Sequence, residues 1–243
     1  PVAKAVLDVN SFDDVADTAA RAIDLSMSGR PGPVVCVVST QILDGETGEP
    51  NIPKPAAPLR IGADRTAIAE AAKLIKDAKH PIILAGEMIA FENSSTELQK
   101  LAEAVGSGVL TAYRQQDVID NLHPAHFGQL TLNRLPFQNE ALDECDLVIS
   151  IGSRLDSATT AYYTMFRDDQ KIIMIHPDAS VFSPWRVDLA IGAQARPAME
   201  DLVKALEGIE PPAKRITWRN KVHAAELAYA EPGEIEIQGN VDM

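Results

Sequence analysis

The 243-residue chain has only two cysteines and two tryptophans, with 5% aromatic residues in all, and its basic side chains fall far short of its acidic ones. Each shortage excludes something. With 22 Lys and Arg against 35 Asp and Glu, the formal net charge is −13. Phosphates would be repelled over most of such a surface, which rules against nucleic acid as a partner. No apolar run approaches the roughly 18 to 20 residues needed to span a bilayer, so no membrane partner is expected. Cys36, in a predicted strand, and Cys145, at the end of a predicted helix, read as buried free thiols in a reducing cytoplasm. There is no Gly-x-Ser-x-Gly elbow, no Walker A loop and no His-Glu-x-x-His pair. The opening Pro1-Val2-Ala3-Lys4 is neither a signal peptide nor an initiator, so the chain reads as beginning inside a longer protein.

What is present is a core: 46% of the residues are apolar. The most informative stretch is Asp146-Leu-Val-Ile-Ser-Ile-Gly-Ser-Arg-Leu-Asp156. A short run rich in β-branched residues, Leu147 to Ile151, reads as a strand buried on both faces, and Gly152 lets the chain turn sharply where it ends. Ligands of open parallel sheets bind just beyond such ends.

Upstream, residues 11–28 predict a helix capped by Ser11, with Val15, Ala19, Ala22 and Ile23 inward. Val34–Val38 predicts a strand, and the proline-rich residues 40–62 a linker. Asp64 caps a helix to about Lys79, with Ile68, Ala72 and Ile75 inward. Pro81–Ala85 is a strand, and Ser94 with Glu97 forms a capping box opening a helix that ends near Gly106. Val109–Tyr113 is the next strand and Leu135–Glu144 the next helix. Lys171–His176 and Asp188–Ile191 are strands, and a helix starts at Arg196-Pro197. Residues 214–230 predict a last helix with Ile216, Val222 and Leu227 inward. Five strands between 81 and 191, alternating with helices, predict an α/β fold: a three-layer doubly wound parallel sheet with helices on both faces.

Gly106-Ser-Gly108 follows a helix and precedes a strand, the reverse of a dinucleotide fingerprint. His123 and His126 flank Pro124 in a predicted loop, with neither cysteines nor paired carboxylates nearby, and read as structural or partner-facing. No residue reads as catalytic and none as a metal ligand. The candidate binding residues are strand ends: Gly86, Thr111, Gly152, Ser153, Arg154, His176-Pro177-Asp178 and Gly192. Parallel strands bring these to one sheet edge, where backbone amides, a hydroxyl and a guanidinium could meet a pyrophosphate; as scaffold, the same glycines would simply end strands.

Gly29-Arg-Pro-Gly-Pro-Val-Val35 followed by Ile42-Leu-Asp44 resembles the end of the amino-terminal domain of thiamine-diphosphate-dependent enzymes of the acetolactate synthase and benzoylformate decarboxylase group. Pro81–Gly86, Leu110–Asp117, His123–Gly128 and Asp146–Asp156 resemble successive parts of that group's central domain, and the last helix with Trp218 resembles the approach to its third domain. The likeness covers essentially the whole chain. It implies an organisation of 1–45 as the tail of the pyrimidine-binding domain, 46–62 as linker, 63–207 as central domain, and 208–243 as the lead into the diphosphate-binding domain. In the family, thiamine diphosphate and Mg2+ lie between the first and third domains. The activating glutamate would then fall upstream of Pro1 and the magnesium-binding Gly-Asp-Gly downstream of Met243. The resemblance therefore implies a middle fragment with scaffolding work, whose partners are the flanking domains in a homodimer or homotetramer.

Central domains of this family bind FAD or ADP in some members and no nucleotide in others. Matching positions imply that Gly86, Thr111, Ala112, Tyr113, Gly152, Ser153, Arg154, Leu155 and Asp178 would line such a site, with Arg154 on the phosphates. FAD-binding members continue the first strand with glycines, whereas Glu87 and Met88 follow Gly86 here; His176 stands where an acidic residue is common, and Ala193 where an aspartate is common. A carboxylate repels a pyrophosphate, so the expectation is an empty or vestigial site. The rival expectation is a stand-alone nucleotide-binding module like an electron-transfer flavoprotein.

Overall fold

The computed structural model describes residues 2–44, 49, 52–53, 60–182 and 187–231. The chain divides into two compact units, Pro1–Ile61 and Gly62–Met243.

In the first unit, strands β1 (Ala5–Val9) and β2 (Val34–Val38) pair in parallel, Ala5 opposite Val34 through Val9 opposite Val38. Helix α1 (Asp14–Met27) joins them, and a single helical turn, α2 (Thr40–Leu43), follows. Strand β1 was not foreseen: its alternating, half-exposed residues lack the dense apolar run that marks β2. Ser11 offers α1 a backbone carbonyl to Asp14 rather than a side-chain cap. Val15 and Ile23, expected inward, are exposed, because a two-stranded sheet is too small to cover a helix face. Cys36 is exposed on β2, correcting the expectation of two buried thiols. Most of the expected linker lies outside the described residues.

The second unit runs α3 (Arg65–Asp77), β3 (Pro81–Ala85), α4 (Glu87–Phe91), α5 (Ser95–Val105), β4 (Gly108–Thr111), β5 (His126–Gln129), α6 (Pro136–Glu144), β6 (Leu147–Ile151), β7 (Lys171–Ile175), a 3-10 turn (Ala179–Phe182), β8 (Leu189–Ile191), α7 (Ala195–Ala205) and α8 (Ala213–Ala230). Its six parallel strands lie in the order β5-β4-β3-β6-β7-β8. Alternation along each strand splits the core in two. Ile83, Ala85, Val109, Ile149 and Ile173 face a layer built from α3, α5 and α7. Ile82, Leu84, Leu110, Val148 and Met174 face the layer holding Phe137 and Ala141 of α6 and Trp218 and Val222 of α8. Both faces of the sheet are thus covered, as an all-parallel sheet requires.

The sixth strand, β5, is the main departure from the expected five. It is four residues long, its register against β4 shifts between Val109 and Thr111, and it begins at His126, which places that histidine in a strand rather than a loop. Gly108 opens β4 because a side chain there would drive into the Phe127 ring of β5: an added Cβ would stand 2.0 Å from it. Gly106, at φ +69°, ends α5. The Ser94–Glu97 capping box does not form. The buried Ser94 hydroxyl instead donates to Ile89 O at 3.2 Å, and Glu97 lies 3.8 Å from Arg196 Nε. Asp64 does cap α3, accepting from Thr66 and Ala67 N–H at 2.9 and 3.2 Å.

Helix α8 packs onto this unit. Arg215, Trp218 and Val222 are buried, while Leu227, expected inward, is exposed. Trp218 stacks on His80 at 4.7 Å and meets Phe127 edge-on at 5.8 Å. Arg215 reaches under two helix ends at once, donating to Val105 O at 2.7 Å, to Ile75 O at 3.0 Å and to Ala78 O. Those are carbonyls that the C-termini of α5 and α3 leave without helical partners. Arg167 and Gln170 do the same for α6, donating to Leu142, Asp143 and Cys145 carbonyls.

Candidate functional site

Numbered in chain order within the sheet, the strands lie 3-2-1-4-5-6, and the direction of winding reverses between β3 and β6. That is the order of dinucleotide-binding sheets, and the crevice beyond the carboxyl ends of such a strand pair is where a pyrophosphate would sit. Every candidate residue from the sequence lies along this edge: Gly86 after β3, Thr111 at the end of β4 with Ala112 and Tyr113 beyond, Gly152 to Leu155 after β6, and Asp178 after β7.

The turns after β3 and β6 do more than neighbour one another: they interlock. Gly86 N–H donates to Ile151 O at 2.9 Å, and Met88 N–H donates to Gly152 O at 3.1 Å. A Cβ on Gly86 would fall 2.3 Å from Ser153 Cα, and one on Gly152 would fall 2.5 Å from Met88 Cβ. Gly152 also holds φ +65°, a conformation that L side chains resist. The two glycines are therefore required by the approach of one turn to the other.

Other strand-end amides are engaged in the same way. Gly152 N–H donates to Ile175 O and Ala112 N–H to Ala85 O, each at 2.8 Å. Tyr113 N–H donates to Thr159 Oγ1 at 3.2 Å, and Leu155 N–H to Ser153 Oγ at 3.1 Å. Ser153 and Leu155 are buried, and the buried Thr111 hydroxyl has no partner among the described residues. Asp178 folds onto its own turn, accepting from Ser180 N–H at 3.0 Å and Ser180 Oγ at 2.7 Å. His176 is fully buried, and its Nδ1 accepts from Asp178 N–H at 3.0 Å, so no acidic side chain faces outward at that position.

Arg154 remains the one exposed cation in the set. Its Nε donates to Glu87 Oε1 at 2.8 Å, and its guanidinium lies 3.8 Å from Asp156 Oδ2. A phosphate arriving here would meet a guanidinium already paired with one carboxylate and flanked by a second, and would be repelled by both. Among the described residues no group of three His, Cys, Asp or Glu side chains converges as metal ligands. The sequence places Glu87 beside Gly86, but its bond to Arg154 spans 67 positions and follows only from the pairing of β3 with β6. The close approach of Met88 to Gly152 likewise has no local sequence signal.

Fold and edge together define a doubly wound α/β domain of the dinucleotide-binding type. Residues 68–202, more than half of the chain, match the family model for the thiamine pyrophosphate enzyme central domain, and the chain belongs to that family. It is 30% identical over 231 residues to a protein described as a probable acetolactate synthase large subunit from Methanocaldococcus jannaschii, covering 92% of this chain and 39% of the relative. It is 29% identical over 208 residues to the acetolactate synthase large subunit of Corynebacterium glutamicum, covering 84% of this chain and 33% of that protein. The fold matches the crystal structure of benzoylformate decarboxylase from Polynucleobacter necessarius with a TM-score of 0.73 at 19% identity, over 88% of this chain and 40% of that one. The chain thus spans well under half the length of the relatives it matches. The family match does not favour the rival of a stand-alone flavoprotein-like module. No helix among the described residues is long and apolar enough to cross a membrane.

Proposed function

We propose that this chain serves as the architectural central domain of a thiamine-diphosphate-dependent enzyme of the acetolactate synthase type, in which decarboxylation and carboligation of 2-oxo acids take place on other domains. In this reading its partners are those flanking domains, in a homodimer or homotetramer working in the cytoplasm. Thiamine diphosphate and Mg2+ belong to the whole enzyme, and FAD or ADP is not held at the sheet edge. One observation carries the reading: the amides of Gly86, Ala112, Tyr113 and Gly152 donate within the protein, and Arg154 is paired with Glu87. A pyrophosphate needs such groups, and here they are already engaged.

The test is an absorbance spectrum of the purified chain, followed by calorimetric titration with FAD, ADP and thiamine diphosphate with Mg2+. The expected result is no flavin band and no saturable heat. Flavin bands or micromolar FAD affinity would overturn the assignment of the edge as purely architectural. Light scattering tests the assembly, and a monomer mass for the full enzyme would refute the oligomeric part.

A further inference from the structure

Helix α8 is fastened in two unlike ways along its length. Its first half buries Arg215, Trp218 and Val222. After Val222 every residue to Ala230 is exposed except His223 and Glu226. Apart from the exposed Tyr229, whose ring stands 6.0 Å from that of Phe137, apolar packing does little there. What seats the second half is a polar cluster at the start of β5. Glu226 Oε1 lies 3.1 Å from His126 Nδ1, and Glu226 Oε2 lies 3.3 Å from His223 Nδ1. His223 Nδ1 also stands 3.0 Å from His126 O. A carbonyl and a carboxylate only accept, so both rings carry hydrogen on Nδ1 and take up a further proton at Nε2. His223 donates to the β5 backbone, and the buried Glu226 Oε2 has no hydrogen-bond partner among the described residues. The groups acting on His126 are Glu226 and His223 from α8 and Asp120 from the loop before β5. Glu103 of α5 lies 3.4 Å from His123 Nε2 and acts on Arg219 of α8. From α6 come the apolar Phe137 and Ala141, with Glu144 bonded to Trp218 Nε1.

We infer that His126, Glu226 and His223 form an acid-released clasp: with both imidazoles neutral they seat the second half of α8 on β5, and proton uptake in mildly acidic solution frees that half while Arg215 and Trp218 keep the first half docked. The neutral cluster sets one carboxylate between two N–H groups. A proton added to His126 puts a charge where only 7% of the side chain is exposed, beside a second imidazole that repels it once that ring is charged too. Burial holds His126 below the ordinary 6.5, against the pull of Glu226. A freed ring takes its proton at the ordinary value, so protons favour the released form. The clasp is therefore intact above that value and weakens as the pH falls from it towards the lower value of the seated ring. The first half of the helix has no such dependence, because the Arg215 guanidinium that holds it keeps its charge throughout this range.

Amide hydrogen exchange read by mass spectrometry tests the clasp. Peptides from 213–222 and 223–230 are compared at about pH 7.5 and about pH 5.5, each normalised to the intrinsic exchange rate at that pH. Protection of 223–230 should fall several-fold in acid, up to about tenfold for one imidazole of ordinary value 6.5, whereas protection of 213–222 should hold. His126→Gln keeps an N–H donor towards Glu226 but does not titrate, so its second half should stay protected at both pH values. Glu226→Ala should leave that half open at both. An unaltered chain whose second half is already open at the higher pH, or equally protected at both, overturns the clasp. Loss of protection along the whole helix overturns local release, and an acid loss that persists in His126→Gln overturns the part given to His126. Nitrogen NMR of the histidine side chains in the unaltered chain gives a reading free of any variant's folding. Both rings should hold hydrogen on Nδ1 at about pH 7.5, and His126 should titrate below 6.5. Hydrogen on Nε2 instead in either neutral ring, or titration of His126 at 6.5 or above, refutes the inference.

Discussion

Arg215→Met tests how helix α8 is fastened to the domain. The arginine is buried at 3% exposure, and its guanidinium donates to Val105 O, Ile75 O and Ala78 O, the carbonyl ends of two helices. Burial pushes its pKa down from the ordinary arginine value, against the pull of Asp146. Methionine keeps the aliphatic stem and removes only the donors. Each stranded carbonyl costs about 1–3 kcal/mol if it stays dry, and the guanidinium's own desolvation, several kcal/mol, is recovered in part. The net expectation is a loss of about 3 kcal/mol. With a urea m-value of about 2 kcal/mol/M, the unfolding midpoint should fall by about 1.5 M. Lys214→Met, one residue earlier and exposed, should change stability by less than about 0.5 kcal/mol. Arg215→Lys should recover only part of the loss, because one ammonium cannot span carbonyls from two helices. The assay is urea denaturation followed by Trp218 fluorescence. A loss below about 1 kcal/mol for Arg215→Met, or full recovery by lysine, would show that packing of Trp218 and Val222 alone holds the helix and would refute the capping argument.

Three further outcomes follow from the geometry. Gly152→Ala should destabilise the second unit by about 3 kcal/mol, since it adds a steric clash with Met88 to the strain of φ +65°. Gly208→Ala, at φ +74° with nothing within 4 Å, should cost about 1 kcal/mol, and equal losses in thermal melts would refute the interlocked turns. His126 is buried at the start of β5, with Glu226 Oε1 at 3.1 Å and His223 beside it on α8, and Asp120 acting from the preceding loop. Burial pushes its pKa below the ordinary 6.5. The unfolded chain therefore binds the proton more readily, so His126 favours the folded state above that value and loses this contribution as the pH falls towards the lower folded pKa. Urea melts between about pH 7 and pH 5 should show a shallower acid-side loss in His126→Gln, and an unchanged slope would count against the buried imidazole as its cause. Burial pushes the Cys145 thiol up to about 12, whereas Cys36 is exposed. A thiol reagent should label one cysteine per native chain and the second only on unfolding, so native labelling of both would place Cys145 wrongly.

The sequence by itself determined the central sheet and which residues stand at the carboxyl ends of its strands. Dense β-branched runs at Pro81–Ala85, Leu147–Ile151 and Lys171–Ile175, separated by helical periods, can be satisfied only by buried parallel strands, and the order of the strand-end motifs carried the family. Strand β5 escaped because four residues of an edge strand carry too little alternation to be told from a loop, and its place was settled by Phe127 packing over Gly108. The Ser94–Glu97 pattern promised a capping box, but Ser94 is buried beside α4 and bonds there instead. Leu227 looked inward by period alone, whereas α8 is fastened by Arg215 and Trp218, whose partners lie some seventy or more positions away. The same holds at the edge. Local sequence put Gly86, Gly152 and Arg154 at strand ends, because strand termination is a local matter of where apolar residues stop and glycine begins. Only the pairing of β3 with β6 brought Glu87 onto Arg154 and Met88 onto Gly152, since ion pairing and close packing depend on distances through space that spacing along the chain does not encode.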